Sequence, residues 1–92
     1  MDTPLNKAIL LSQNDNVATL LADVEKGQQI EIIDDGNRAQ GIVTCKQAIT
    51  FGNKVAVNAI STQEAIKKAG YDIGIAIKAI PVGELVHVQN VR

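Results

Sequence analysis

The sequence predicts a small, mostly β domain with one or two short helices. Isoleucine (12) and valine (9) outnumber leucine (6), and β-branched side chains favour strands. Seven glycines, spread from position 27 to position 83, divide the chain into short segments of the kind that tight corners connect. At 92 residues we expect one domain, residues 1–92, with its core at about 8–91.

The first half of the chain predicts strands separated by short polar breaks. Residues 8–11 are apolar and predict a strand, and Asp15 with Asn16 then predicts a turn or a helix cap. Apolar residues within 17–24 recur at i, i+3, i+4 and i+7, which predicts a short amphipathic helix. Residues 29–33 and 42–45 predict two paired strands.

The best turn signal lies between those two strands, where residues 34–37 read Asp-Asp-Gly-Asn. Asp-Gly and Gly-Asn steps tolerate positive φ and are frequent in hairpin turns. We therefore expect a tight turn here with Gly36 at positive φ, where a valine would be strained.

The second half predicts further strands. Residues 54–60 alternate polar and apolar, and residues 85–91 predict a closing strand. Between them, Ile73, Ile75 and Ile77 share one strand face.

One stretch, residues 61–69, has two interpretations. Ser61 and Glu64 form a capping-box pattern, which favours a helix. A weak internal repeat instead favours a turn and a strand. The repeat relates residues 57–66 to residues 21–32 and 77–88, and each copy has an apolar residue, a corner and a strand, with Gln63 where the other two corners have glycine. Both interpretations stay open.

Composition excludes several classes of partner. Lys plus Arg is 9 and Asp plus Glu is 10, so the net charge of −1 predicts neither a nucleic-acid surface nor a polybasic membrane patch. The only aromatic residues, Phe51 and Tyr71, are too few for base stacking. The longest apolar run has four residues, far below a membrane span.

Cysteine and histidine each occur once, as Cys45 and His87, so we expect no disulfide and no metal site or cofactor within this chain. Cys45 is expected to be a half-buried structural thiol. Residues 1–4 start acidic and lack the apolar region of a signal peptide, which predicts a cytoplasmic protein.

Four short motifs resemble the SAF domain of the altronate/galactarate dehydratase family. They are residues 15–18 (Asp-Asn-Val-Ala), 51–56 (Phe-Gly-Asn-Lys-Val-Ala), 68–74 (Lys-Ala-Gly-Tyr-Asp-Ile-Gly) and 86–90 (Val-His-Val-Gln-Asn). The resemblance covers about residues 8–91. The chain departs from the family pattern at four positions: Asn53 and Gln89 stand for histidine, Ala69 for tyrosine and Gln63 for glycine.

The resemblance implies a β-clip fold and a role in removing water from a polyhydroxy acid. It also implies a large catalytic subunit or domain as partner, and a divalent metal in that partner. Related lyases carry the small domain as a separate chain, including one that eliminates sulfite from sulfolactate. Because 46% of the residues are hydrophobic, some apolar surface is expected to be covered by that partner or by a second copy of the chain.

Dehydrating a hydroxy acid needs a base, a sink for the enolate charge and an acid, which this chain cannot supply alone. His87 is the candidate catalytic residue, for hydrogen bonding or proton transfer. Lys54 is the candidate cation for a substrate carboxylate, and Asn53, Gln89 and Asn90 offer amide contacts. Each could instead be an ordinary surface residue.

The sequence thus predicts the small subunit or N-terminal SAF domain of a sugar-acid dehydratase, assisting substrate binding in a catalytic partner. The alternative is a catalytically silent binding or assembly module of the same fold. Retained Lys54, His87 and Asn90 favour the first, and the changed residues Asn53, Ala69 and Gln89 favour the second.

Overall fold

A computed structural model describes residues 4–92, and every regular element in this range is a strand. The signal-peptide expectation falls on residues 1–4, of which the first three lie outside the described residues. The strands are β1 Asn6–Ile9, β2 Val17–Leu20, β3 Gln29–Ile33, β4 Ala39–Thr44, β5 Lys54–Ala56, β6 Ala65–Lys68, β7 Tyr71–Ile75 and β8 Leu85–Val86. The mostly β prediction is confirmed.

Six strands form one sheet in the order β4-β3-β1-β2-β5-β8, and β6 pairs with β7 in a separate hairpin. Only β1 and β3 run parallel; the other strand pairs are antiparallel. Two apolar clusters form the core. One includes Leu20, Ile30 and Ile49, and the other includes Ile60 and Ile66 beneath the β6–β7 hairpin.

The predicted helix over 17–24 is wrong, because its first half is strand β2. β2 lies inside the sheet between β1 and β5, and its two faces pack against different apolar clusters, Ala18 in one and Val17 in the other. Consecutive residues Val17 and Ala18 are each only 1% exposed. A strand that is buried on both faces loses the polar–apolar alternation and can mimic a helical pattern.

The open question at 61–69 is settled in favour of a turn followed by β6. The capping-box contact still forms, since the Ser61 N–H donates to Glu64 Oε1 at 2.8 Å. The Glu64 N–H in turn donates to the Ser61 carbonyl at 2.9 Å, which closes a turn. A helix start and this turn use the same local hydrogen bonds, so the sequence motif alone does not distinguish them.

The closing strand is shorter than predicted, because β8 ends at Val86 and residues 87–90 form a turn. The shared face of Ile73, Ile75 and Ile77 points outward: these side chains are 46%, 36% and 45% exposed. The chain therefore carries an uncovered apolar strip on the β6–β7 hairpin.

One corner recurs four times, at residues 21–30, 46–55, 57–66 and 77–86. The sequence repeat found three of these corners and missed 46–55. Each holds an apolar residue in an isolated β-bridge, and the bridges pair the corners two by two, Val24 with Ile49 and Ile60 with Ile80. Three residues after each bridge residue comes a residue at positive φ: Gly27 (88°), Gly52 (87°), Gln63 (74°) and Gly83 (90°).

The β3–β4 hairpin forms as predicted, but Gly36 is not the residue at positive φ. The Asn37 N–H donates to the Asp34 carbonyl at 3.0 Å and closes the turn, and Asn37 itself takes φ 61°. Asparagine tolerates the left-handed region, so a turn followed by a left-handed residue is available without glycine there. The strain expected for valine at Gly36 is therefore not supported by this backbone.

The carboxylate of Asp34 organises this hairpin, and we expect its titration to show it. Its pKa lies below the ordinary 3.8, first because the Arg38 backbone N–H donates to it. Desolvation opposes this, and the Arg38 guanidinium and the Gly36 N–H lower the pKa further. The stability it contributes is present above the unfolded pKa and is lost as pH falls through the lowered folded pKa. In Arg38→Ala the NMR-measured pKa of Asp34 should rise only part of the way, since the backbone donor remains. An unchanged pKa would contradict this.

Candidate functional site

A pocket of about 470 Å³ opens where the β6–β7 hairpin meets the end of the main sheet. It is lined by Lys54, Ile66, Ile73, Val86, His87, Val88, Val91 and Arg92. Pairing of β5 with β8 places Lys54 opposite Val86, and so brings Lys54 next to His87 at the pocket. A concave, largely apolar surface with a few polar groups is the usual form of a small-molecule site.

The charged side chains of the pocket all carry the same sign. Lys54 and Arg92 are cations, and no Asp or Glu lines the pocket. Within residues 4–92, neither cation takes part in an ion pair, although three such pairs form elsewhere. The pocket is therefore suited to an anion.

Sequence reasoning brought Lys54 and His87 forward but missed Arg92. Arg92 reaches the pocket because residues 90–92 run beside β7: the Arg92 N–H donates to the Ile75 carbonyl and the Ile75 N–H donates to the Arg92 carbonyl, both at 3.0 Å. This pairing has no local signature, since it joins residues 17 positions apart. The bridge between Ala76 and Val91 belongs to the same pairing.

Two of the predicted amide contacts point elsewhere. The Asn53 Nδ2 donates to Thr50 Oγ1 at 2.7 Å, which ties it to its own corner. The Gln89 Nε2 donates to the Leu85 carbonyl at 3.3 Å. Neither side chain lines the pocket. Substrate contacts by Asn53 and Gln89 stay predictions, and each requires the side chain to leave its present partner.

Asn90 is fully buried and shapes the turn that presents His87. Its Oδ1 accepts the His87 N–H at 2.9 Å, and its Nδ2 donates to the Leu85 carbonyl at 2.8 Å. The Asn90 N–H also donates to the His87 carbonyl at 3.1 Å. A predicted substrate contact by Asn90 would require one of these bonds to break. The observed geometry instead makes Asn90 the residue that positions the His87 backbone.

Of the two predictions for Asp15 and Asn16, the turn is confirmed, since the Asp15 N–H donates to the Ser12 carbonyl at 3.0 Å, and the helix cap is wrong. The two side chains also fasten the β6–β7 hairpin to the main sheet. The Asp15 carboxylate accepts the N–H groups of Ala69 at 2.7 Å and Gly70 at 2.9 Å. The Asn16 amide bonds the backbone of β6 at two positions, donating to the Ala65 carbonyl at 2.9 Å and accepting the Lys67 N–H at 2.8 Å. This motif therefore holds one wall of the pocket in place.

Cys45 and the metal-ligand residue types offer no second site. Cys45 is 1% exposed, more buried than predicted, and desolvation raises the pKa of its thiol, which keeps it protonated. No group of three or more His, Cys, Asp or Glu in the described range could hold a metal ion. The divalent metal implied for the catalytic partner thus has no ligand set in residues 4–92. No helix among these residues is long and apolar enough to cross a membrane.

A curled sheet of short strands turned by repeated corners defines a small β-clip domain. The chain belongs to the SAF domain family of the altronate/galactarate dehydratases, whose family model matches residues 6–92. The resemblance carried by the four sequence motifs is therefore confirmed.

Three characterised proteins are similar to this chain. It is 33% identical over 85 residues to altronate dehydratase of Bacillus subtilis (strain 168), which covers 91% of this chain and 16% of that protein. It is 33% identical over 78 residues to altronate dehydratase of Escherichia coli (strain K12), covering 85% and 14%. It is 37% identical over 71 residues to (2R)-sulfolactate sulfo-lyase subunit alpha of Chromohalobacter salexigens, covering 75% and 73%.

The chain thus spans only a small part of the two altronate dehydratases but most of the sulfo-lyase subunit. It is a dehydratase-associated small domain, and the relatives place such a domain both within longer proteins and in a chain named as a subunit.

Proposed function

We propose that this chain is the substrate-assisting small subunit or domain of a lyase that removes water from sugar acids, with the catalytic portion supplied by a larger partner. The observation that carries the proposal is the pocket in which Lys54, His87 and Arg92 meet without a carboxylate. Family membership supports the reaction class, and the small share of the altronate dehydratases that the chain spans supports a partner.

The chemistry of the pocket fits one part of that reaction. Removing the proton α to a carboxylate moves negative charge onto the carboxylate oxygens. A cation already placed at those oxygens, such as the Lys54 ammonium, stabilises that charge without reorganisation. His87 would hydrogen-bond a substrate hydroxyl or move a proton to or from it. The remaining acid, base and metal functions belong to the partner.

The proposal predicts binding without turnover by the isolated chain. Titration of the ¹⁵N-labelled chain with altronate or galactarate should shift the signals of pocket residues, and Lys54→Gln should weaken binding about tenfold, the effect of losing some 1.4 kcal/mol. Lys78→Gln is the matched control, since Lys78 is exposed and outside the pocket. No 2-keto-3-deoxy product should form, even with divalent metal. Product formation that His87→Ala abolishes would overturn the need for a partner.

A silent assembly module is the second candidate, and exposed apolar side chains favour it. Val88 is 78% exposed, Tyr71 74% and Phe51 65%, in addition to the apolar strip on the β6–β7 hairpin. A surface of this kind is typical of protein contacts. This candidate would be favoured if neither sugar acid binds and if Lys54→Gln still forms a complex with the larger catalytic partner as the wild type does.

A further inference from the structure

The third corner of the fold differs from the other three at one position. The residue that takes positive φ is glycine in three corners, Gly27, Gly52 and Gly83, but it is Gln63 in the third. In each corner the N–H of the next residue closes a turn, so the backbone demand is the same in all four. A residue with a Cβ is strained in this region, whereas glycine is not.

Conformation, rather than lack of space, explains glycine in at least two of these corners. A Cβ added at Gly27 or Gly52 would meet no atom within 4 Å. Glycine is thus present even where a side chain would fit. Gln63 takes the same conformation as the three glycines, but its Cβ makes that conformation strained. Strained residues of this kind often occur where the side chain has a function.

The side chain of Gln63 contacts a residue of the pocket. Its Oε1 accepts a hydrogen bond from Arg92 Nη2 at 3.3 Å. The Arg92 backbone is fixed against Ile75 by two hydrogen bonds, so the remaining freedom lies in its long side chain. The contact with Gln63 restricts that freedom, and a neutral amide does so without cancelling the guanidinium charge.

We propose that Lys54 and Arg92 together form a binding site for an oxyanion, a carboxylate or sulfonate group, and that Gln63 is a positioning residue that holds Arg92 for it. Two cations that line one pocket without an acidic neighbour, and without an ion pair in the described range, create a site whose charge is unmet. The guanidinium supplies paired donors for an oxyanion, and the ammonium adds a point charge. The inference rests on the proposed use of this pocket as a substrate site.

Inorganic sulfate is the probe, because it tests the oxyanion site without assuming which acid is the substrate. The 92-residue chain is titrated by NMR at constant ionic strength, which separates site binding from screening. We expect Arg92→Gln to weaken sulfate binding about tenfold. Gln63→Gly should weaken it roughly threefold, at the low end of couplings within one hydrogen-bonded network, without lowering the thermal midpoint. Added to Arg92→Gln, Gln63→Gly should have no further effect.

Ala69→Gly is the matched control, since Ala69 is also at positive φ (54°) but, unlike Gln63, has no side-chain hydrogen bond to Arg92. It relieves similar strain and should leave sulfate binding unchanged. If Gln63→Gly binds sulfate as tightly as the wild type does, the positioning role is wrong. If the wild type does not bind sulfate, the oxyanion site is wrong. Sulfate binding that depends on Arg92, combined with no binding of altronate or galactarate, would confirm the oxyanion site and refute the proposed substrate.

Discussion

Asp15→Ala is expected to lower the free energy of unfolding by about 3–5 kcal/mol, a large part of the stability of a small domain. Asp15 is 2% exposed, and its carboxylate accepts three backbone N–H groups, from Ser12 at 3.0 Å, Ala69 at 2.7 Å and Gly70 at 2.9 Å. Alanine would leave these donors without their partner in a poorly hydrated place. Urea denaturation followed by circular dichroism measures the loss.

Two further variants make the Asp15 experiment specific. Asp15→Asn keeps the shape but removes the charge and replaces one acceptor by a donor, so its loss should be intermediate. Asp35→Ala removes an exposed carboxylate in the β3–β4 turn and should change stability by less than about 0.5 kcal/mol. A loss below about 1 kcal/mol for Asp15→Ala would show that the carboxylate does not hold the hairpin.

The same fastening connects stability to the pocket. Asp15 and Asn16 bond the backbone of the β6–β7 hairpin, and this hairpin contributes Ile66 and Ile73 to the pocket. Loosening the hairpin would therefore move one pocket wall away from Lys54. We therefore expect Asp15→Asn to bind anions more weakly than Asp35→Ala does. Asp15 would act on binding through the position of the hairpin and not through contact with the anion.

The sequence predicted those parts of the fold whose signals are local. Strand β3 and the turn at 34–37 were located correctly, since alternation, β-branched residues and an Asp-Gly step are all visible within a few residues. Strand β2 was misassigned because burial on both faces depends on the two apolar clusters, whose members come from segments far apart in sequence. Asn37 at φ 61° was missed for a related reason, since several residue types satisfy the same turn.

The candidate site was only half accessible to sequence reasoning. Lys54 and His87 were selected by resemblance to a family motif, and strand pairing then places both at one pocket. Arg92 belongs to no such motif, and Gln63 was noted only as a departure from the glycine of the family pattern. Their contact joins two segments 29 residues apart. The burial of Asn90, by contrast, follows from a local turn. In the predicted strand over 85–91, alternation places Asn90 on the inward face with Val86 and Val88, but Asn90 was assigned to a substrate contact, so its 0% exposure was missed.

Gly83→Ala is expected to be more destabilising than the same change at Gly27, although both glycines take nearly the same φ, 90° and 88°. At Gly27 the added Cβ meets no atom within 4 Å, so the variant should lose only the stability that backbone strain costs, about 1–2 kcal/mol. At Gly83 the Cβ would collide with the Thr44 carbonyl oxygen, a backbone atom that cannot rotate away. Overpacking adds roughly 1–3 kcal/mol, for a total of about 2–5 kcal/mol.

The difference between the two variants isolates the close approach of the fourth corner to the end of β4. That approach is also bonded, since the Lys46 N–H donates to the Gly83 carbonyl at 2.8 Å. Gly83 lies two residues before the start of β8, which ends beside His87, so relief of the collision should displace β8 and shift the His87 amide signal. If Gly27→Ala and Gly83→Ala lose the same free energy of unfolding and the His87 signal does not shift, the fourth corner can move away from β4 without cost. The position of His87 in the pocket would then not depend on that contact.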